Sequence, residues 1–248
     1  MNVLIINADD YGYSRAVNLG IIDSFKSGVL TSATLMANMP GFEHAVELAK
    51  LNPKFGIGVH LTLTCGKPLS ENTSSLTENG SFKKIAFYES DFSIEKDELL
   101  KEWDLQIQRV IESGITPTHL DTHHHVNMVS PMKEVFIELA RKFKLPVRNN
   151  FDVPDDLLTV KKFFIDFDDL GITKGIWKPL ITNNLVQDCK NYHTVEAMCH
   201  PGYLDNVVFE GSSLLENRVL TTKELMDSNY KELFSANNIK LGTYRDLI

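Results

Sequence analysis

The sequence predicts an α/β protein whose core is a parallel sheet, and three observations predict it. The chain opens on a short apolar run, Val3 to Ile6, that gives way to polar residues and then a glycine, as a buried parallel strand does. Similar runs then alternate along the chain with segments whose apolar residues recur at helical spacing. The acids and histidines that stand out fall at or just beyond the ends of those runs, where the carboxyl ends of parallel strands would lie.

Taken in order, residues 2–7 form the first strand. A helix follows from a Ser14 cap, with Ala16, Val17, Ile21, Ile22 and Phe25 on one stripe and Gly28 closing it. Residues 29–38 read as a second strand, and Phe42, Ala45, Val46, Leu48 and Ala49 as the apolar face of a second helix. Residues 55–63 form a third strand, which completes a βαβαβ opening. The stretch 64–91, rich in Gly, Ser, Asn and Thr, is too long for a plain connection and reads as a functional loop. Leu99, Leu100, Trp103, Ile107, Val110 and Ile111 mark a long helix over about 93–113, which Gly114 ends. A fourth strand covers 116–122, and Ser130-Pro131 starts the next helix. Residues 145–148 suggest a short fifth strand and 155–165 a helix; between there and 190 the pattern assigns nothing further. A strand over 194–198 runs into Cys199-His200-Pro201-Gly202, and a helix over 221–236 precedes a last strand over 239–243. Seven or eight such units suit a closed or nearly closed barrel within a single domain, with an open doubly wound sheet as the alternative.

Composition narrows the function classes. The 25 Lys and Arg against 33 Asp and Glu give a net charge of -8 with no block of like charge, so nothing is built to neutralise a nucleic-acid backbone. The first apolar run is broken by Asp9 and Asp10 and lacks a basic leader, which fits neither a signal peptide nor a membrane span and points to the cytoplasm. Cys65, Cys189 and Cys199 are odd in number and widely spaced, as expected of reduced thiols.

The chemistry collects at Asp9 and Asp10, His60, His123 to His125 and His200. Each has a plain reading: an acid pair after a strand is commonly a turn and cap, and a histidine on an apolar strand is commonly a core residue. Their shared place at strand ends favours a site. One Asp and two His make an oxygen and nitrogen set suited to a divalent metal with positions left open, and a second carboxylate beside the ligand could take a proton from water. If strand alternation persisted through 119–127, His123 and His125 would share a face with Asp121, and periodicity does not choose between them.

NADDYG at 7–12, GIIDSFKSGVLTSATLMAN at 20–38, GIGVHLTL at 56–63 with GKPL at 66–69, THLDTHHHVN at 118–127 and EAMCHPGY at 196–203 together resemble the YdjC-like family of carbohydrate deacetylases, the group that includes chitooligosaccharide deacetylases. The resemblance runs end to end. It implies a modified (β/α) barrel of about seven parallel strands, related to polysaccharide deacetylases, forming a single deacetylase domain with 64–91 as a lid or dimer loop. It also implies a divalent metal, Mg2+ or Zn2+, held by Asp10, His60 and His123, with Asp9 as the base and His200 as the acid. Arg148, His125 and Tyr11 are the further residues it suggests near substrate, with Arg148 orienting either the substrate or Asp9. Asn127 departs from the family, standing where the pattern has a further His.

The activity implied is hydrolysis of N-acetyl groups from amino sugars or short oligosaccharides, releasing acetate. The alternatives are a metal-dependent hydrolase of a phosphate ester or another amide, which the scarcity of bases near the motifs (Arg15, Lys67, Arg148) disfavours for phosphate, and a non-catalytic sugar-binding protein. The partners expected are an acetylated sugar and, through the long loop, a second copy of the chain; neither nucleic acid nor membrane is expected.

Overall fold

The computed structural model describes residues 2–165, 181–227 and 229–247. Seven strands form one sheet, and every pairing within it is parallel: β1 (Asn2–Tyr11), β2 (Ser32–Leu35), β3 (Gly56–Leu61), β6 (Leu120–Thr122), β7 (Lys162–Phe164), β8 (Thr194–Cys199) and β9 (Ile239–Leu241). The order is β6-β3-β2-β1-β8-β7, with β9 beside the start of β1. Val147 bridges Leu120 on the β6 edge to Thr159, just ahead of β7, so the sheet curls into a partial barrel as expected. The strands β1, β2, β3 and β8 are buried almost throughout, which explains their continuous apolar runs. A separate antiparallel pair, β4 (Thr77–Glu78) and β5 (Ser81–Phe82), and the short helix α3 (Ile85–Tyr88) lie in the long loop.

The helices α1 (Arg15–Ser27), α2 (Phe42–Lys50), α4 (Lys96–Glu112) and α5 (Met132–Phe143) follow the sequence expectation, and α6 (Val186–Asn191) and α7 (Asn206–Gly211) add to it. Ser14 caps α1 by accepting from the Val17 amide at 3.2 Å. The buried polar residues of α4 hold the loop that follows β3. Gln106 accepts from the Thr62 amide at 2.8 Å and donates to the Thr62 carbonyl at 3.0 Å. Glu102, fully buried, accepts from the amides of Leu69 and Ser70 at 2.9 and 2.7 Å.

Four expectations are corrected. No helix covers 155–165; those residues are turn and extended chain leading into β7, because Thr159, Val160, Phe163 and Phe164 favour strand and Lys161 donates to the Thr194 carbonyl at 3.1 Å. Residues 145–148 supply one bridging position, Val147, since Pro146 has no amide to extend a ladder. The helix over 221–236 is two helices, α8 (Glu216–Leu225) and α9 (Asn229–Ala236), with Asp227 accepting from the Asn229 amide at 2.9 Å at the break. The strands β2 and β6 are shorter than 29–38 and 116–122, because Val29 turns to the Leu225 carbonyl and Pro117 again lacks an amide. The unassigned stretch at 166–180 lies outside the described residues.

One glycine sets the barrel interior. A Cβ on Gly58 would stand 2.5 Å from the ring of His119, which stacks on Tyr244 at 3.9 Å. Both rings are fully buried and have nowhere to move. Gly58→Ala is therefore expected to lower unfolding stability by about 1–3 kcal/mol, read as a lower urea midpoint at unchanged slope.

Candidate metal centre and catalytic pocket

Two adjacent residues on a regular strand point to opposite faces, so Asp9 and Asp10 should not reach one site. The end of β1 breaks that rule. Its register with β2 slips between Ala8 and Tyr11, and Asp10 takes a left-handed backbone at φ 67°. Such a bulge re-aims side chains, and Asp is among the few residues that tolerate the conformation. Both carboxylates consequently face the pocket at the carboxyl end of the sheet.

Three donors converge there. Asp10 Oδ1 lies 3.5 Å from His60 Nε2 and 3.0 Å from His123 Nδ1, and the ligand atoms of the three residues are all within 4.8 Å of one another. His60 comes from β3, and its register partner on β6 is Asp121, whose Oδ1 lies 2.6 Å from His60 Nδ1. A carboxylate behind one ring nitrogen orients the other toward a metal. Asp10 Oδ1 and His60 Nε2 are buried without a hydrogen-bond partner, a costly state for polar atoms unless something else binds them. His123 follows β6 directly. There alternation stops, because His124 and His125 both adopt left-handed backbone. His124 turns aside to Thr64 Oγ1 at 2.8 Å.

Asp9, His60 and Asp121 also lie close enough to share an ion, but both acids of that set are already paired with Arg148. Arg148 is fully buried. Its Nη1 and Nη2 donate to the two oxygens of Asp9 at 2.7 and 2.6 Å, and Nη2 lies 2.8 Å from both Asp121 and Glu196. Burial alone would raise the Asp9 carboxyl, yet the charge and hydrogen bonds of Arg148 outweigh it and hold Asp9 well below the usual carboxylate range. Burial pulls the His60 imidazole down, but Asp121 and Asp9 push it up to about 9. Arg218, from α8, donates from Nη2 to Asp10 Oδ2 at 2.6 Å and is buried. Four buried carboxylates, Asp9, Asp10, Asp121 and Glu196, thus face two buried guanidinium groups, Arg148 and Arg218. The donors and the orphaned atoms both fit a metal at Asp10, His60 and His123.

The remaining residues fall into two groups. His200 follows β8 and places Nε2 4.0 Å from Asp10 Oδ2. With Asp9, Asp10, His123, His125 and Arg218 it lines a cavity of about 500 Å³, walled on the far side by Lys84 and Ile85 of the long loop. Tyr11 lies on the other side of the bulge, fully buried, with its hydroxyl donating to the Ala45 carbonyl at 2.8 Å. Asn127 is likewise buried and bonds to Thr122 and Asn150. Phe87, Tyr88 and Phe92 of the long loop pack against one another, with ring centroids 5.1–5.9 Å apart. Arg218 carries no signal in a linear reading, lying on a helix with no motif, and Glu196, though it opens the EAMCHPGY segment, sits inside an apolar strand run that gives no hint of its partners.

Residues 3–232 match the family model described as YdjC-like protein. A carbohydrate deacetylase of Clostridium beijerinckii is 40% identical over 98% of this chain and 99% of its own length. A crystal structure from Enterococcus faecalis V583, of a protein proposed to cleave cellobiose phosphate, is 32% identical and superposes with a TM-score of 0.87 over 99% of this chain and 98% of that one. A peptidoglycan N-acetylglucosamine deacetylase shares the fold at 12% identity, with a TM-score of 0.55 over 99% of this chain and 87% of that one.

Proposed function

The chain belongs to the YdjC-like protein family, and from that premise we propose that it is a metal-dependent carbohydrate deacetylase acting on N-acetylated amino sugars or short oligosaccharides such as chitooligosaccharides. It is a hydrolase of amide C–N bonds. The observation that carries the metal dependence is the pair of buried, unpartnered atoms, Asp10 Oδ1 and His60 Nε2, beside His123.

Asp10, His60 and His123 would hold Mg2+ or Zn2+, which when bound supplies Lewis acidity toward the acetyl carbonyl and the attacking water. Arg148 keeps Asp9 ionised, so Asp9 is ready to accept the proton of that water. The water oxygen bonds to the acetyl carbon, and the C–N bond breaks. His200, on the pocket wall beside Asp10, donates the proton that the departing amine needs. The products are acetate and a free amino sugar. Tyr11 belongs to the core and Arg148 acts through Asp9, which leaves His125 as the substrate contact among the three. The long loop closes one side of the pocket through Lys84 and Ile85.

Acetate release from N-acetylglucosamine oligomers tests this reading. A chelator is expected to abolish it and added Mg2+ or Zn2+ to restore it, and His60→Ala is expected to lose both bound metal and turnover. Full activity in the metal-stripped protein would overturn the metal role. Release of phosphate from sugar phosphates without acetate release, or tight sugar binding with no product, would overturn the reaction.

A further inference from the structure

His125 is held by a chain of hydrogen bonds that the proposed reaction does not use. The chain starts at Thr122, whose Oγ1 accepts from the Asn127 amide at 3.3 Å and donates to Asn127 Oδ1 at 2.7 Å. In this arrangement the oxygen of the Asn127 side chain faces Thr122. Asn127 Nδ2 then donates to Asn150 Oδ1 at 2.9 Å, and Asn150 Nδ2 returns a bond to Asn127 Oδ1 at 3.0 Å. The second proton of Asn150 Nδ2 points to His125 Nδ1 at 3.2 Å. With Asn150 Nδ2 as the donor, which has no lone pair to give, His125 Nδ1 is the acceptor and the ring proton sits on Nε2.

The ring is fixed in place as well as in tautomer. His125 has a left-handed backbone at φ 53°, and its imidazole meets Phe163 edge-on at 5.8 Å. Arg148 in turn packs over Phe163 at 5.1 Å. The imidazole lines the same cavity as Asp9, Asp10 and His200. A strained backbone in a pocket, supported on several sides, is how proteins pre-set a ligand contact.

We propose that His125 binds the sugar as a hydrogen-bond donor, its Nε2–H directed to an oxygen of the substrate, and that Asn150 and Asn127 are positioning residues that lock this tautomer. The assignment rests on the deacetylase reading for the identity of the substrate. It also accounts for Asn127, because where the family pattern has a histidine this chain has an amide that orients a second amide, which orients His125. The contact selects a hydroxyl or carbonyl oxygen and rejects a cationic group at that point.

The test has two arms on the full-length, metal-loaded protein. Nitrogen NMR of histidine-labelled protein, without substrate, is expected to show His125 as the Nε2–H tautomer, and Asn150→Leu to turn it into a mixture. In kinetics with an N-acetylglucosamine oligomer, His125→Phe is expected to raise KM about three- to tenfold, the worth of one hydrogen bond, with a smaller effect on kcat. His125→Gln, whose amide N–H reaches the same place, is expected to recover most of that loss, which a purely structural role would not do. A proton on Nδ1 in the wild type, or an unchanged KM in His125→Phe, overturns the proposal. If Asn150→Leu does not fold, the wild-type spectrum and the two His125 variants decide. If the wild type releases no acetate from any acetylated sugar, the functional reading fails, and the NMR arm still decides the tautomer.

Discussion

Asp9→Asn is expected to lower kcat for acetate release by about 10²- to 10⁴-fold, the usual worth of a positioned acid or base, while bound metal stays near wild type. The amide keeps the shape of the carboxylate but cannot take up the proton of water. Arg148 keeps acidic partners after the change, because Glu196 Oε1 still accepts from its Nε and Nη2 at 3.0 and 2.8 Å and Asp121 remains 2.8 Å away. Asp10, His60 and His123 are untouched. Metal content by elemental analysis, beside steady-state kinetics, checks the split: a kcat within tenfold of wild type would remove Asp9 from the role of base. Asp10→Asn should behave differently, since the loss then begins with metal affinity.

Arg148→Met is expected to be the more damaging change to the fold. It leaves Asp9, Asp121 and Glu196 buried together without their shared guanidinium, and breaking a buried pair of this kind costs about 3–5 kcal/mol. Urea unfolding should report that loss directly. A pH profile adds a second measure. With Arg148 gone, the Asp9 carboxyl moves up toward its ordinary range, so it is protonated at a higher pH and the acid limb of kcat shifts upward. Arg148→Lys retains one charge without the two-pronged grip and should fall between the two. A Met variant as stable as the wild type would mean that the three acids are neutralised by some other route.

The elements that follow one rule along their length were legible in the sequence. β1, α1, α2, β3, α4 and β8 lie close to their expected places, because continuous burial and helical stripes are local signals. The barrel class, and the gathering of acids and histidines at one end of the sheet, also follow from strands that all run the same way, whereas the choice of His123 over His125 comes from the family resemblance. What a linear reading misses is non-local. The helix expected at 155–165 yields to a strand because β8 offers a partner at Thr194, which no local pattern displays. Arg218 reaches Asp10 across a sequence separation of 208 residues, and Glu196 is hidden in an apolar run whose centre happens to face Arg148 and Tyr244. The alternation invoked for 119–127 ends at Thr122, and the turn after it, rather than strand geometry, separates His123 from His124 and His125.

The grip of α4 on the long loop bears on how the pocket breathes. Because the amides of Leu69 and Ser70 are donated to a carboxylate buried inside a helix packing layer, their exchange with solvent deuterium should track the opening of α4 and not that of a surface loop. Protection at Leu69 and Ser70 comparable to that at Trp103 and Ile107, with fast exchange confined to residues such as Asn79 and Gly80 at the hairpin tip, would identify the start of the long loop, just beyond the pocket residues Thr64 and Cys65, as rigid. Substrate would then enter past a rim fixed beside Thr64 and Cys65, and any opening of the pocket would fall to the later part of the loop at Lys84 and Ile85.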